Sequence, residues 1–268
     1  FYPEALGIAI VSACILLFVW NTQAEPLRWP RMAALGLCIG LGALCRPNWL
    51  LTMPLLIPVV YVVRKLRGFG SGVWSGVVSV LVWAAVWMPW TARNYLAYGA
   101  PILITCGGGL NFYLGNNPFA TWNSKTDVPK PPTMQNLRSE HPHELEREFY
   151  RMGLEYVRSN PIHAAGLWLG KLINYWHPVP EIKNHRIGTL KMIAAVGPST
   201  LVLLAGLCAA VSAWRRRDWS VLFLLGIPLI DSCLTAAFIT PARLRIPFDA
   251  VLIVAAAAWF AAMSRPVR

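Results

Sequence analysis

Long apolar runs recur along this chain and restrict its fold more than any other feature. The stretches 5–20, 72–90, 187–213, 219–239 and 250–263 each approach the roughly 20 apolar residues that a membrane-spanning helix requires. A further stretch, 32–63, is apolar except for "CRPN" at its middle, which predicts a helical hairpin with Arg46 and Pro47 at the tip. The composition agrees: 56% of residues are hydrophobic and only 13% charged, the balance of a membrane protein. The chain is therefore read as an all-α integral membrane protein with about seven transmembrane helices. Its expected organisation is 1–90 as spans that include the hairpin, 91–186 as a non-cytoplasmic region of loops and amphipathic helices, and 187–268 as C-terminal spans.

A net charge of +12 would suit nucleic acid, but the basic residues are dispersed among the spans and no nucleic-acid-binding signature accompanies them. They gather in three short connections, "LRWPR" (27–31), "RKLR" (64–67) and "WRRRDW" (214–219), and in the tail "SRPVR". The positive-inside rule makes these four cytoplasmic. Seven alternating spans then put the N-terminus outside and the C-terminus in the cytoplasm, with Arg46, the 91–186 region and "ARLRIP" on the non-cytoplasmic face. Five of the six cysteines lie in or at the edges of apolar spans, and only Cys106 falls in a polar loop, so neither a disulfide framework nor a thiolate metal site is indicated. No cofactor is expected, and with no cluster of metal-ligand residues the use of a divalent metal stays open. The sequence starts at Phe1, directly before a span and without a basic leader, and is expected to be the C-terminal part of a longer protein.

Within the central region, "CGGGLNFYLGNNP" (106–118) has the glycines of a phosphate loop but neither a Lys-Ser/Thr ending nor the spacing of a dinucleotide fingerprint, and nucleotide binding is rejected. Read as loop residues, Asn111, Phe112, Tyr113, Asn116 and Asn117 combine amides with aromatic faces. Such a set can bind a sugar or acceptor, and it can equally cap turns. The stretch 123–142 is rich in proline and turn formers. From His143 to Ser159 the apolar residues Leu145, Phe149, Met152 and Tyr156 recur at helical spacing, and Pro161 closes that helix. Next, "IHAAGLWLGKLINYW" (162–176) puts His163, Lys171 and Asn174 on one face, as in a helix lying on the bilayer surface. Burial within a small domain is the alternative.

The expected arms of the hairpin, 32–45 and 49–63, are only about 21 to 23 Å long against a hydrocarbon core of about 30 Å, so Arg46 should sit at or below the outer interface. Arginine at that depth snorkels, pairs with an acid or meets an anionic ligand. Arg243 and Arg245 fall on the same face, and Arg93 in "PWTARNY" makes a fourth cation there. A ring of guanidiniums at the outer interface suits a lipid-linked phosphate, because the planar fork binds phosphate oxygens bidentately while apolar helices hold the lipid. Two acids accompany them. Glu4 can bind a sugar hydroxyl, pair with an arginine or face water at a helix start. Asp231, about 13 Å along its helix from Thr240, is either functional or bonded to Ser232, Thr235 or a neighbouring helix.

"GLGALCRPNWLLTMPLL", "MPWTARNYLAYG", "GGGLNFYLGNNP", "NPIHAAGLWLGKLINYW" and "ARLRIPFDAVLIV" follow one another in that order. Together they resemble the C-terminal half of bacterial GT-C membrane glycosyltransferases, in particular the family-39-like proteins related to protein O-mannosyltransferases and to the lipid A aminoarabinose transferase. The resemblance implies a multi-pass enzyme of the bacterial cytoplasmic membrane. It would take a sugar from a polyprenyl phosphate at the outer face and transfer it to a glycan, lipid or protein acceptor. It implies that Arg46, Arg243 and Arg245 lie near the donor phosphate, with Leu244 standing where the family has an aromatic residue. The family's acidic general base lies in an early outer loop, ahead of the matched segment, so the chain is expected to hold half a site and to be inactive alone. The alternative is a non-catalytic binder or transporter of polyprenyl phosphate.

Overall fold

A computed structural model describes residues 3–23, 26–70, 72–122, 142–178 and 189–263, without the side chains of 3, 189–195, 242 and 262. The turn-rich stretch 123–141 and the basic tail therefore lie outside the described residues. All regular structure among the described residues is helical. In chain order the α-helices are α1 (Pro3–Gln23), α2 (Trp29–Cys45), α3 (Trp49–Thr52), α4 (Leu56–Leu66), α5 (Val73–Tyr98), α6 (Gly108–Gly115), α7 (Pro142–Ser159), α8 (Pro161–Trp176), α9 (Thr189–Arg216), α10 (Trp219–Ala236) and α11 (Ile246–Met263). Short 3₁₀ turns occupy Met53–Leu55 and Ala242–Leu244.

Among the described residues, five helical segments are long and apolar enough to cross a membrane: Glu4–Gln23, Trp49–Leu66, Val73–Tyr98, Val196–Arg216 and Trp219–Ala236. The reading of about seven crossings also counts the apolar helices Trp29–Cys45 and Ile246–Ala261, which are shorter. Several boundaries differ from the sequence expectation. The hairpin arms are longer than 32–45 and 49–63, starting at Trp29 and ending at Leu66. Pro30 at the start of α2 costs no hydrogen bond, so the helix begins ahead of the apolar run. α5 continues past Trp90 to Tyr98, so Arg93 belongs to the helix and not to a loop after it. α10 stops at Ala236, and α11 begins at Ile246 with Pro247 in its first turn.

The chain divides into two compact units. The first consists of Phe1–Val86, Pro178–Asp231 and Arg245–Arg268, so most of the first and last of the three expected segments fold together. In its core Val11, Cys14, Ile15 and Phe18 of α1 form a buried helical stripe beside Met32, Leu35, Ile39 and Ala43 of α2, while Leu6, Leu16 and Trp20 face outward. Apolar helices gain little from leaving lipid for one another, and close backbone approach has to supply the packing. Gly36 and Gly40 of α2 provide it against α5: a Cβ at Gly36 would strike the Ser79 carbonyl, and one at Gly40 would meet Val86 at 2.7 Å.

The second unit consists of Trp87–His177 and Ser232–Leu244. The last turns of α5 hold the segment that follows, because Trp90 Nε1 donates to the Ile104 carbonyl (2.8 Å) and Asn94 Nδ2 to those of Ile102 and Ile104 (both 3.1 Å). α6 packs on α7 through Phe112 with Tyr150 and Tyr113 with Phe149, and Gly153 leaves room for the Phe112 ring. The stretch 108–115, expected as a loop, is thus a helix. Gly108 and Gly109 disfavour helix locally, but Gly109 lets α6 approach the α7 backbone at Glu146, and tertiary packing outweighs the propensity.

Candidate functional site

Arg46 ends α2 because it precedes Pro47, which disfavours helical backbone in the residue before it; Arg46 is extended instead, at φ −140° and ψ 102°. Arg46 is 7% exposed, and Nη2 meets Glu4 Oε1 of α1 at 3.4 Å. The guanidinium lies over the Trp49 ring, 5.7 Å from its centroid. Trp49 is fully buried and makes an edge-on contact with Phe248 of α11 at 5.6 Å. Gly7 of α1 fits between these parts: a Cβ there would lie 3.0 Å from Pro247 and 3.2 Å from Trp49. Three residues before Phe248, Arg245 is 4% exposed and its Nε donates to Asp249 Oδ1 at 3.2 Å, one turn further along α11.

The beginnings of α1 and α11 and the tip after α2 thus meet at one end of the first unit, and they bring Arg46 and Arg245 there from distant parts of the sequence. The opposite end of α1, about 25 Å away along its axis, is also rich in arginine. There Arg31 stacks over Trp20, Arg64 Nη1 donates to the Asn21 carbonyl (2.9 Å) and Arg67 Nη1 to that of Thr22 (3.2 Å). The connections 27–31 and 64–67, both expected in the cytoplasm, therefore share an end. Asp231 is fully buried in the first unit and accepts the Thr52 hydroxyl at 3.1 Å.

The remaining candidates belong to the second unit. Arg93 is exposed, stacks over Trp90 at 5.3 Å and donates to Asn94 Oδ1 at 3.1 Å; Arg243 is exposed as well. The amides of Asn116 and Asn117 are spent inside the fold. Asn116 Nδ2 donates to the carbonyls of Phe112 and Ala237 (2.9 and 2.7 Å), and Asn117 Nδ2 to those of Tyr113 and Leu114 (2.9 and 3.1 Å). Asn111 is exposed, and Tyr113 packs against Phe149. At the start of α6 the Gly109 N–H donates to Glu146 Oε1 at 2.9 Å, so a carboxylate already occupies this glycine-rich helix start.

Two residues that matter here, Trp49 and Asp249, were not singled out from the sequence. Trp49 follows the hairpin tip and carries the contact to α11. Asp249 was legible as an acid four residues after Arg245 on a helix. Lys171, read on one face of a helix lying on the bilayer with burial in a small domain as the alternative, is 1% exposed, and its ammonium donates to the carbonyls of Gly115 and Phe238, both at 2.9 Å. Burial pushes its pKa down to about 8. With Asn174, also buried, Lys171 faces the interior of its unit, while Ile162, Leu169 and Ile173 of the same helix are exposed.

Comparisons with protein-family models, with curated proteins and with solved structures returned no match.

Proposed function

We propose that this chain forms the donor-binding part of a membrane glycosyltransferase of the GT-C type. In this reading it acts at the outer face of the bacterial cytoplasmic membrane, with a cytoplasmic C-terminus, and moves a sugar from polyprenyl phosphate to a glycan, lipid or protein acceptor. The observation that carries the reading is the pair of buried arginines, Arg46 and Arg245, gathered at one end of an apolar helical unit. A phosphate leaving the anomeric carbon gains charge, and guanidiniums in surroundings of low dielectric stabilise that charge more strongly than they would in water. The orientation follows from the basic connections: two of them share the far end of α1, and the positive-inside rule assigns that end to the cytoplasm.

A second reading, a non-catalytic binder or transporter of polyprenyl phosphate, draws on the same two arginines. It is favoured by one observation: the two acids beside these arginines, Glu4 and Asp249, are each engaged in an ion pair and are not presented to an acceptor. Transfer would then need a base from elsewhere.

Binding to the purified protein in nanodiscs tests the shared element. A polyprenyl phosphate should bind about tenfold or more tightly than the matching polyprenol, since charge-assisted bonds to the phosphate are lost in the alcohol. Equal affinity for the two would refute both readings. Transfer of labelled sugar from polyprenyl phosphate, in membranes that contain the protein, separates the enzyme from the binder.

A further inference from the structure

The contact between Glu4 and Arg46 is incomplete in a particular way. A guanidinium binds an oxyanion bidentately along its edges, and one edge is formed by Nε and Nη2. Glu4 reaches Nη2 alone, at 3.4 Å, while the buried Nε–H on the same edge has no hydrogen-bond partner among the described residues. Beneath the guanidinium, the fully buried indole N–H of Trp49 has no partner among the described residues either. Buried donors without acceptors are uncommon and costly, on the order of 1–3 kcal/mol each. Two of them, on residues three apart and in contact, leave this end of the unit short of acceptor oxygens. Glu4 is the most exposed member of the group, with 21% of its side chain accessible, and it stands in the first turn of its helix, where a side chain can swing away at little cost.

Resting on the reading above, we propose that Glu4 is a placeholder: an incoming phosphoryl group exchanges with its carboxylate, takes the Nε–Nη2 edge of Arg46 bidentately and accepts the Trp49 indole N–H. The exchange replaces one long contact with three donors on one anion. It also keeps Arg46 paired when no ligand is bound, so the buried cation is never left alone. Glu4 therefore sets affinity by competition, and Trp49 is a ligand-binding residue as well as a packing one.

Titration of farnesyl phosphate and of inorganic phosphate into the nanodisc-embedded protein tests the exchange in wild type, E4Q and W49F. Removing the competing carboxylate should tighten farnesyl phosphate binding by about tenfold in E4Q, and losing one charge-assisted donor should weaken it by about five- to tenfold in W49F. Phenylalanine preserves the ring that touches Phe248, and should W49F fail to fold, E4Q decides alone. Binding of inorganic phosphate with the same E4Q response would make a free anion the ligand, whereas a response confined to farnesyl phosphate identifies a lipid headgroup. Wild-type binding of farnesyl phosphate with unchanged or weaker binding in E4Q overturns the exchange and leaves the donor-binding reading intact. No binding of either phosphate to the wild type overturns both.

Discussion

Lys171 makes the stability of the protein depend on alkaline pH in a way that one substitution should remove. Its ammonium is buried against two uncharged carbonyls, Gly115 at the end of α6 and Phe238 just beyond α10, and its pKa falls from 10.5 to about 8. The helix ends supply partial negative charge, but burial costs more than they return. Because the folded pKa lies below the unfolded one, between pH 8 and 10.5 the unfolded chain holds a proton that the folded chain has released. Stability therefore rises with pH across that window, and is lowest below about pH 8, where folding buries the charged form. At 1.36 kcal/mol per pKa unit the change is on the order of 3 kcal/mol. The assay is unfolding in mixed detergent micelles at intervals from pH 7 to 11 for wild type and K171M. The difference between them isolates this lysine from other groups that titrate there. It should increase in favour of wild type by about 3 kcal/mol between pH 8 and 10.5 and level off beyond. A difference that stays flat within about 0.5 kcal/mol, or one that falls, would refute the assignment of a desolvated ammonium held by carbonyls.

In a background without the native cysteines, S159C should react with a membrane-impermeant maleimide in intact cells and D218C should not; both positions are exposed, so the reverse pattern would invert the proposed topology. N116A and N117A should each lower stability by about 1–3 kcal/mol, because these buried amides bond to backbone carbonyls, whereas N111A, at an exposed position, should change it by less than about 0.5 kcal/mol. Ligand affinity that falls in N116A or N117A without loss of stability would assign those amides to recognition instead. G36L should destabilise the first unit by roughly 1–3 kcal/mol by forcing α2 from α5, while G226A, with open space around the new methyl, should be neutral or slightly stabilising; equal thermal shifts for the two would show that the close approach at Ser79 does not matter.

The spans were readable because a bilayer-length apolar run is a one-dimensional signal that needs no knowledge of neighbours. The hairpin tip was readable for a similar reason, since Arg46-Pro47 interrupts apolar sequence and proline restricts the residue before it. α6 was not. Its glycines signal a loop locally, and only the approach to α7 at Glu146 and Gly153 makes a helix there favourable. Pairing Arg46 with Glu4 was one of several options open to each residue. It took the fold of α1 beside the hairpin to choose among them. The two orphaned donors were invisible in the sequence, because an unmet N–H is a property of everything around it. Lys171 shows the limit of face patterns: three polar residues on one helical face identify a distinct side, but not whether that side meets water or the interior of a unit.

The account depends most on whether Arg46 and Arg245 hold a lipid-linked phosphate. The direct measurement is polyprenyl phosphate affinity for R46A, R46K, R245A and R245K in nanodiscs, with folding of each variant verified by its thermal transition. The two alanine variants should each lose about ten- to a hundredfold in affinity, corresponding to roughly 1.5–3 kcal/mol for a hydrogen bond to a charged group. The lysine variants should recover only part of it, because an ammonium keeps the charge without the bidentate fork. Four folded variants with wild-type affinity would mean that both arginines serve only their carboxylate partners, and the proposed phosphate site would be wrong.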